Sequence, residues 1–251
     1  MEDIGIAYLN AANGSPWLLP RSRGQTGLVD HFNLMPHRLA DYGFAVSTGQ
    51  LVWNRHKEQL RATYGRNCYP IIWAEAVSTA GTFHFQAARR THLPYLKIEP
   101  DQEFLINQEP CILVQRTTAK EQKRRLIAAV IPNSFIIEYP GFIVENHLNM
   151  VHLFGRKPWV ALRTIAALFN SSTLDQAFRC INGSVAVSAY ELNSLPLPDA
   201  TQMHILQDAV FGGKSSAEVE RIIASFYSPT HERNGGTAPG HSRQQARRVA
   251  A

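Results

Sequence analysis

Two carboxylates and a lysine have the spacing with the clearest catalytic potential in this sequence. Pro100-Asp101 is followed by Glu121-Gln122-Lys123, which matches metal-dependent nucleases in which two carboxylates hold Mg²⁺ and a lysine helps to activate water. Such nucleases carry Glu-x-Lys on a strand, whereas the surrounding TTAKEQKRRL does not alternate and is typical of a helix start. We therefore favour a solvated basic face here and keep nuclease chemistry as an alternative.

Positive charge is dense around the second half of this motif. Five cations fall within ten residues and are opposed by Glu121 alone: Arg116, Lys120, Lys123, Arg124 and Arg125. A helix N-terminal segment of this kind suits contact with DNA phosphates, and it equally suits a solvated helix face. The formal charge of +5 does not decide between them, because residues 213–251 hold six basic and three acidic residues while residues 151–212 hold four of each.

Several enzyme classes are excluded by simple inventory. None of the 14 prolines follows Asp, Asn or another proline, so the Asp/Asn-Pro-Pro-aromatic loop of amino-group methyltransferases is missing. No two of the 16 glycines form Gly-x-Gly, which removes the glycine-rich turn of nucleotide-type cofactor sites. A phosphate loop at Gly213-Lys214-Ser215 would need a glycine where Asp208 stands. We expect this chain alone to be non-catalytic and to bind no cofactor.

Cysteine usage and hydropathy predict the compartment. The three cysteines, Cys68, Cys111 and Cys180, are widely spaced and form no Cys-x-x-Cys motif. This pattern is typical of reduced thiols in a cytosolic protein. The first ten residues lack a signal-peptide pattern, and no apolar run approaches the ~20 residues of a membrane span. We expect a cytoplasmic protein without membrane contact.

Strand and helix patterns alternate irregularly along the chain. Gly43 and Gly49 bracket a predicted hairpin, and further strands are predicted at residues 71–77, 82–86, 111–115, 135–138 and 184–188. Helices are predicted at residues 120–131, at 158–169, and from Ser215, where Ser215 and Glu218 form a capping-box pattern. These patterns predict an α+β fold with mixed, irregular sheets and packed helices.

Composition divides the chain into three parts. Residues 1–212 have the composition of a folded domain, and residues 213–228 contain the predicted C-terminal helix. Residues 229–251 are rich in Gly, Pro, Ser, Arg and Gln, so they cannot bury enough apolar surface to offset the entropy cost of ordering. We expect those residues to form a disordered basic tail.

Seven segments, in order, carry a resemblance to a known family. They are WLLPR from residue 17, LADYG from 39, STGQLVWNRHKEQL from 47, CILVQRTTAKEQKRRLIAA from 111, FIVENHLNMV from 142, LRTIAALFNS from 162 and INGSVAVSAYELNSLPLP from 181. Together they resemble the TaqI-type target recognition domain, the C-terminal specificity region of adenine-specific N6 DNA methyltransferases of restriction-modification systems. The resemblance runs from Trp17 to Pro198.

The resemblance implies a DNA-recognition half without catalytic machinery. In that family a separate N-terminal domain binds S-adenosylmethionine and carries the Pro-Pro loop that this sequence lacks. The expected partners are therefore double-stranded DNA and a methyltransferase catalytic chain or domain, which would hold the S-adenosylmethionine. A degenerate fragment, or an interaction protein without DNA affinity, is the remaining alternative to this function and to the nuclease.

Residue chemistry selects the candidate DNA contacts. Arginine can bond guanine through two hydrogen bonds, threonine can contact the thymine methyl group, and lysine and arginine bind phosphates. The first set comprises Arg55, Lys57, Arg116, Thr117, Thr118, Lys120, Lys123, Arg124 and Arg125. A second set comprises Asn54, Asn146, His147 and Ser184.

The alternatives at these positions are structural. Trp53 is expected to be a core residue. Glu145-Asn146-His147 offers one histidine and one carboxylate, too few for a metal, so we favour a hydrogen-bonded turn there. For Ser184 and Ser188, strand packing is the default expectation.

Overall fold

The computed structural model describes residues 18–20, 23–87, 89, 91–117, 122–155, 157–181 and 186–228. Seven α-helices and eight strands lie within these residues. The helices are α1 Arg23–Leu34, α2 Asn133–Glu138, α3 Leu162–Phe169, α4 Ser172–Ile181, α5 Ala189–Asn193, α6 Ala200–Phe211 and α7 Ser216–Phe226. The strands are β1 Phe44–Thr48, β2 Leu60–Arg61, β3 Cys68–Ile72, β4 Tyr95–Lys97, β5 Ile112–Gln115, β6 Ala128–Val130, β7 Ile143–Val144 and β8 Leu148–Leu153.

The strands form two four-stranded sheets. The first has the order β1-β8-β5-β6 and is antiparallel throughout, with Phe44 opposite Leu153 and Ile112 opposite Val130. The second has the order β2-β4-β3-β7, in which β3 and β7 are parallel. The α+β class with mixed sheets and packed helices is confirmed.

Apolar side chains cover both faces of the first sheet. Ile112 and Val114 of β5 face a core built with α1, α3, α4, α6 and α7, whereas Leu113 faces a second core shared with β3, α2 and β7. A strand covered on both faces needs apolar residues at every position, because neither face meets water. This requirement explains the unbroken apolar runs of β5 and β6.

The predicted helix at residues 120–131 is wrong where the structure describes it. Residues 122–127 form no helix, and Ala128–Val130 is strand β6, paired with β5. Its apolar run comes from two-sided burial in a sheet, which sequence periodicity alone does not separate from a buried helix. The basic cluster therefore does not lie at the start of a helix in this region.

Three other predicted elements differ from the structure. The strand predicted at 135–138 is wrong, because helix α2 begins after Pro132 and leaves Ile137 exposed. The hairpin predicted between Gly43 and Gly49 is also wrong, because β1 pairs with the distant β8. Residues 82–86 form only the isolated bridge of Phe83 with Val77.

Three predictions, for β5, α3 and α7, agree with the structure in their main features, and a fourth, for β3, agrees in part. Strand β5 occupies residues 112–115, and β3 overlaps the predicted 71–77 strand at its first two residues. Helix α3 begins at Leu162, later than predicted, and ends before Asn170. Helix α7 has the predicted capping box, in which Ser215 Oγ accepts from Glu218 N.

The strand predicted at 184–188 falls partly on 184–185, outside the described residues, and Ala186 forms only an isolated bridge.

Among the described residues, no helix combines the length and apolar character needed to cross a bilayer. The predicted tail, 229–251, lies outside the described residues.

Helix α7 ends against the helical core, where Tyr227 makes the stability pH-dependent. The Tyr227 hydroxyl donates to Pro196 O at 3.2 Å, and burial raises the pKa of this phenol well above its ordinary value. The unfolded state then ionises first as the pH rises, so the free energy of unfolding falls above about pH 10. We expect Tyr227→Phe to cost about 1 kcal/mol at pH 7 and to reduce this alkaline loss, measured by urea denaturation at pH 7, 9 and 10.5. Equal alkaline losses in wild type and variant would contradict this assignment.

Candidate nucleic-acid interface

Two segments that connect one sheet to the other lie side by side and form the centre of the candidate interface. We call Gly49–Leu51, Arg116 and Glu145–His147 the junction. Gly49 N donates to Leu148 O at 2.8 Å, Leu51 N to Val144 O at 3.1 Å, and Asn146 N to Leu51 O at 3.0 Å. Backbone hydrogen bonds therefore bring together segments that lie nearly a hundred residues apart in the sequence.

Glu145 organises the turn between β7 and β8. Its buried carboxylate accepts from His147 N at 2.9 Å, and its other oxygen lies 2.6 Å from His147 Nδ1. A carboxylate oxygen accepts, so the proton sits on Nδ1, and Nε2 lies on the opposite side of a ring that is 60% exposed. The turn is hydrogen-bonded, as expected from the sequence, and it holds His147 in one orientation at the surface.

Arg116 joins the same turn from the end of β5. Its amide donates to His147 O at 2.9 Å, and its Nη1 donates to Asn146 O at 3.0 Å. Val187 N donates to Arg116 O at 2.8 Å, and the exposed Thr117 forms a bridge with Ala186. The structure thus brings together Arg116, Thr117, Asn146 and His147, four of the predicted DNA contacts.

The segment after Leu51 carries three more predicted contacts. Two short 3₁₀ helices, Trp53–Arg55 and Lys57–Gln59, place Asn54, Arg55 and Lys57 in exposed positions. Lys57 Nζ lies 5.7 Å from the centre of the Trp53 ring, which itself packs against a further apolar cluster that includes Leu51 and Trp73. Trp53 is thus a partly buried packing residue, and a basic segment leads away from the junction.

Lys123, Arg124 and Arg125 lie in a different setting, next to α4. Arg124 donates through Nη1 to Asn170 O and through Nη2 to Thr79 O, so its guanidinium joins three segments. Arg179 Nη2 donates to Lys123 O, while the Lys123 side chain is exposed and Arg125 is half-buried. DNA contact by these three residues remains a prediction, and the structure gives Arg124 a structural role as well.

The remaining candidates divide into those outside the described residues and those with structural partners. Thr118, Lys120, Glu121 and Ser184 lie outside the described residues. Ser188 caps α5 through reciprocal hydrogen bonds with Glu191. Asp101 is in an exposed turn, and no group of three potential metal-binding side chains (His, Cys, Asp or Glu) occurs in the described part of the chain.

Sequence reasoning missed two buried polar residues near these sites. Asn149 in β8 is fully buried, donates through Nδ2 to Val187 O at 2.7 Å and accepts from Thr48 Oγ1 at 3.1 Å. Asp175 in α4 accepts from two backbone amides and from Arg179. A polar residue inside an otherwise apolar pattern was the available signal, but apart from the Asp175–Arg179 pair the partners are distant in sequence.

Comparison with known proteins gives a relationship over most of the chain. No protein-family model matches this sequence. The chain is 28% identical over 192 residues to Type II methyltransferase M.PstI of Providencia stuartii, which covers 75% of this chain and 38% of that protein. It is 30% identical over 177 residues to Type II methyltransferase M.BsuBI of Bacillus subtilis, covering 69% of this chain and 34% of that protein. The matched region spans little more than a third of the length of these relatives. Over that region, the chain is related in sequence to Type II methyltransferases.

Proposed function

We propose that this chain is the sequence-specific DNA-recognition module of an adenine N6 DNA methyltransferase of a restriction-modification system. The observation that carries the proposal is the junction, where Arg116, Thr117, Asn146 and His147 meet beside the basic 53–57 segment. The similarity to two Type II methyltransferases over most of this chain supports the same function.

The exposed side chains in and beside the junction suit two different kinds of contact with duplex DNA. Arg55 and Lys57 are exposed cations, which bind phosphates and set the position of the duplex. Asn146, His147 and Thr117 have short or constrained side chains of the kinds that contact base edges in the major groove. Bound in this way, the module supports extrusion of the target adenine into the pocket of a catalytic partner, where S-adenosylmethionine is held.

A salt-dependent titration with duplex DNA tests the proposal. The double variant Arg55→Gln/Lys57→Gln removes two phosphate contacts, so we expect the slope of log K against log salt to fall in magnitude by about 1.8. Lys214→Gln/Arg221→Gln removes the same charge from exposed positions at the α6–α7 end and should leave the slope unchanged. A wild-type protein that binds no duplex at low salt, or equal effects of the two double variants, would contradict the proposal.

Two further measurements separate the alternatives. Mg²⁺-dependent DNA cleavage that is lost in Glu121→Ala would establish the nuclease instead. We also expect S-adenosylmethionine added to this chain alone to produce no binding heat in calorimetry, and a clear signal here would overturn the assignment of the cofactor to a partner.

A further inference from the structure

A further exposed basic residue, Arg89, lies on a turn whose His92 ring packs near Trp53 of the 53–57 segment. His92 N donates to Arg89 O at 2.9 Å, which closes a turn that leaves Arg89 exposed. Trp73 Nε1 donates to Leu93 O at 2.9 Å, so a buried tryptophan holds the residue that follows His92. Arg89 thus sits on a turn that is tied to the core from its C-terminal side.

The His92 ring provides the stronger attachment. It stacks on Trp73 with 3.7 Å between ring centres and 10° between the planes. His92 Nδ1 lies 2.7 Å from Glu75 Oε1, and the two side chains are only 8% and 15% exposed. A buried hydrogen bond to a carboxylate, combined with an aromatic stack, restricts the ring to one orientation. We call Trp73, Glu75 and His92 the aromatic anchor.

Trp53 connects this anchor to the proposed DNA surface. Its ring centre lies 6.0 Å from both Trp73 and His92, and Lys57 Nζ lies 5.7 Å from the same ring. Lys57 lies on the Trp53 side of this anchor, and Glu75 is bonded to His92. Packed rings therefore connect the turn that carries Arg89 to the Trp53 ring beside Lys57.

We propose that Arg89 is a further contact to the DNA backbone and that the aromatic anchor positions it beside Lys57. This inference rests on the proposed function. Packing alone accounts for Trp73, but a nearly buried histidine–carboxylate pair is costly unless both groups are satisfied, and here it holds a surface turn that carries an arginine. Two cations held by one rigid assembly lose little entropy when they bind phosphates, which is the advantage of a pre-organised site.

Salt-dependent titration with the same duplex tests this contact. Arg89→Gln should weaken binding about five- to tenfold near 0.1 M salt and reduce the magnitude of the salt slope by about 0.9, whereas Arg89→Lys should restore most of both. Arg163→Gln, at an exposed position on α3, is the charge-matched control and should have neither effect.

A double-mutant cycle tests the positioning role. His92→Gln keeps a donor for Glu75 but removes the stack, so we expect it to reduce the salt slope as well. Adding Arg89→Gln in that background should then produce no further change, because Arg89 is already displaced. Full additivity of the two changes would overturn the role of the anchor.

These outcomes distinguish a failure of the Arg89 contact from a failure of the proposed DNA-recognition function. If wild-type protein binds duplex DNA but Arg89→Gln behaves like Arg163→Gln, the Arg89 contact is wrong and the proposed function stands. If wild-type protein binds no duplex at any salt concentration, both fail together.

Discussion

Replacing Asp175 with alanine is expected to destabilise the protein by about 3–5 kcal/mol, the range found when one partner of a buried ionic group is removed. The Asp175 carboxylate is 3% exposed and accepts from the amides of Arg125 and Leu126, the latter at 2.8 Å. It also accepts from Arg179 Nε at 2.8 Å. Alanine leaves one buried amide, one partly buried amide and a partly exposed guanidinium without this acceptor, and each unmade hydrogen bond carries a desolvation cost.

Urea denaturation at pH 7 measures this effect. Asp208→Ala removes an exposed aspartate from α6 and should change the free energy of unfolding by no more than about 0.5 kcal/mol. Asp175→Asn retains one acceptor and should fall between the two. A loss below about 1 kcal/mol for Asp175→Ala would show that the segment before β6, which contains Arg125 and Leu126, does not depend on this carboxylate.

Gly49→Ala is expected to be strongly destabilising. A Cβ at Gly49 would collide with Glu145 O and lie 2.8 Å from Glu145 C, both backbone atoms that cannot rotate away. The two connecting segments of the junction must separate to make room for this carbon. We therefore expect the free energy of unfolding to fall by about 3 kcal/mol, at the upper end of the usual cost of overpacking. Because Leu51 is bonded to this turn and leads directly into the 53–57 segment, duplex binding should weaken as well.

Gly65→Ala is the matched control for that change. Its nearest neighbour for an added Cβ is Cys68 Sγ at 4.0 Å, so the substitution adds the same carbon without a collision. Thermal unfolding of both variants measures the difference, and the DNA titration reports on the junction. Equal melting temperatures for the two variants would contradict this prediction, because they would mean that the backbone at Gly49 and Glu145 has room for an added Cβ.

The features that could be predicted from sequence depend on neighbouring residues. The capping box of α7 needs only Ser215 and Glu218, three residues apart, and the apolar stripe that follows is complete within eleven residues. The end of α3 before Asn170 and the turn at Glu145-Asn146-His147 are likewise local. The α+β class and the residue types suited to DNA followed from the sequence for the same reason, since composition and short patterns carry both.

The features that could not be predicted depend on partners distant in sequence. Strand β6 was predicted as helix because residues 126–131 are all apolar, and only pairing with β5 and burial on both faces make them extended. Asn170 shows the same dependence: its side chain accepts from Ala128 N at 3.0 Å and donates to Ala128 O at 2.7 Å, in the manner of a neighbouring strand. No local pattern specifies an amide that acts across 42 residues.

The candidate interface combines both kinds of information. By itself the sequence determined which residues have suitable chemistry, because arginine, lysine, asparagine and histidine side chains are recognisable wherever they stand. Only the tertiary structure decided that Arg116 meets the turn of Asn146 and His147, and that Leu51, which leads into the 53–57 segment, is bonded to the same turn. Hydrogen bonds between segments far apart in the sequence bring them together. It also gave Arg124 two carbonyl partners. Chemistry belongs to single residues, whereas a surface requires the long-range pairing that folding supplies.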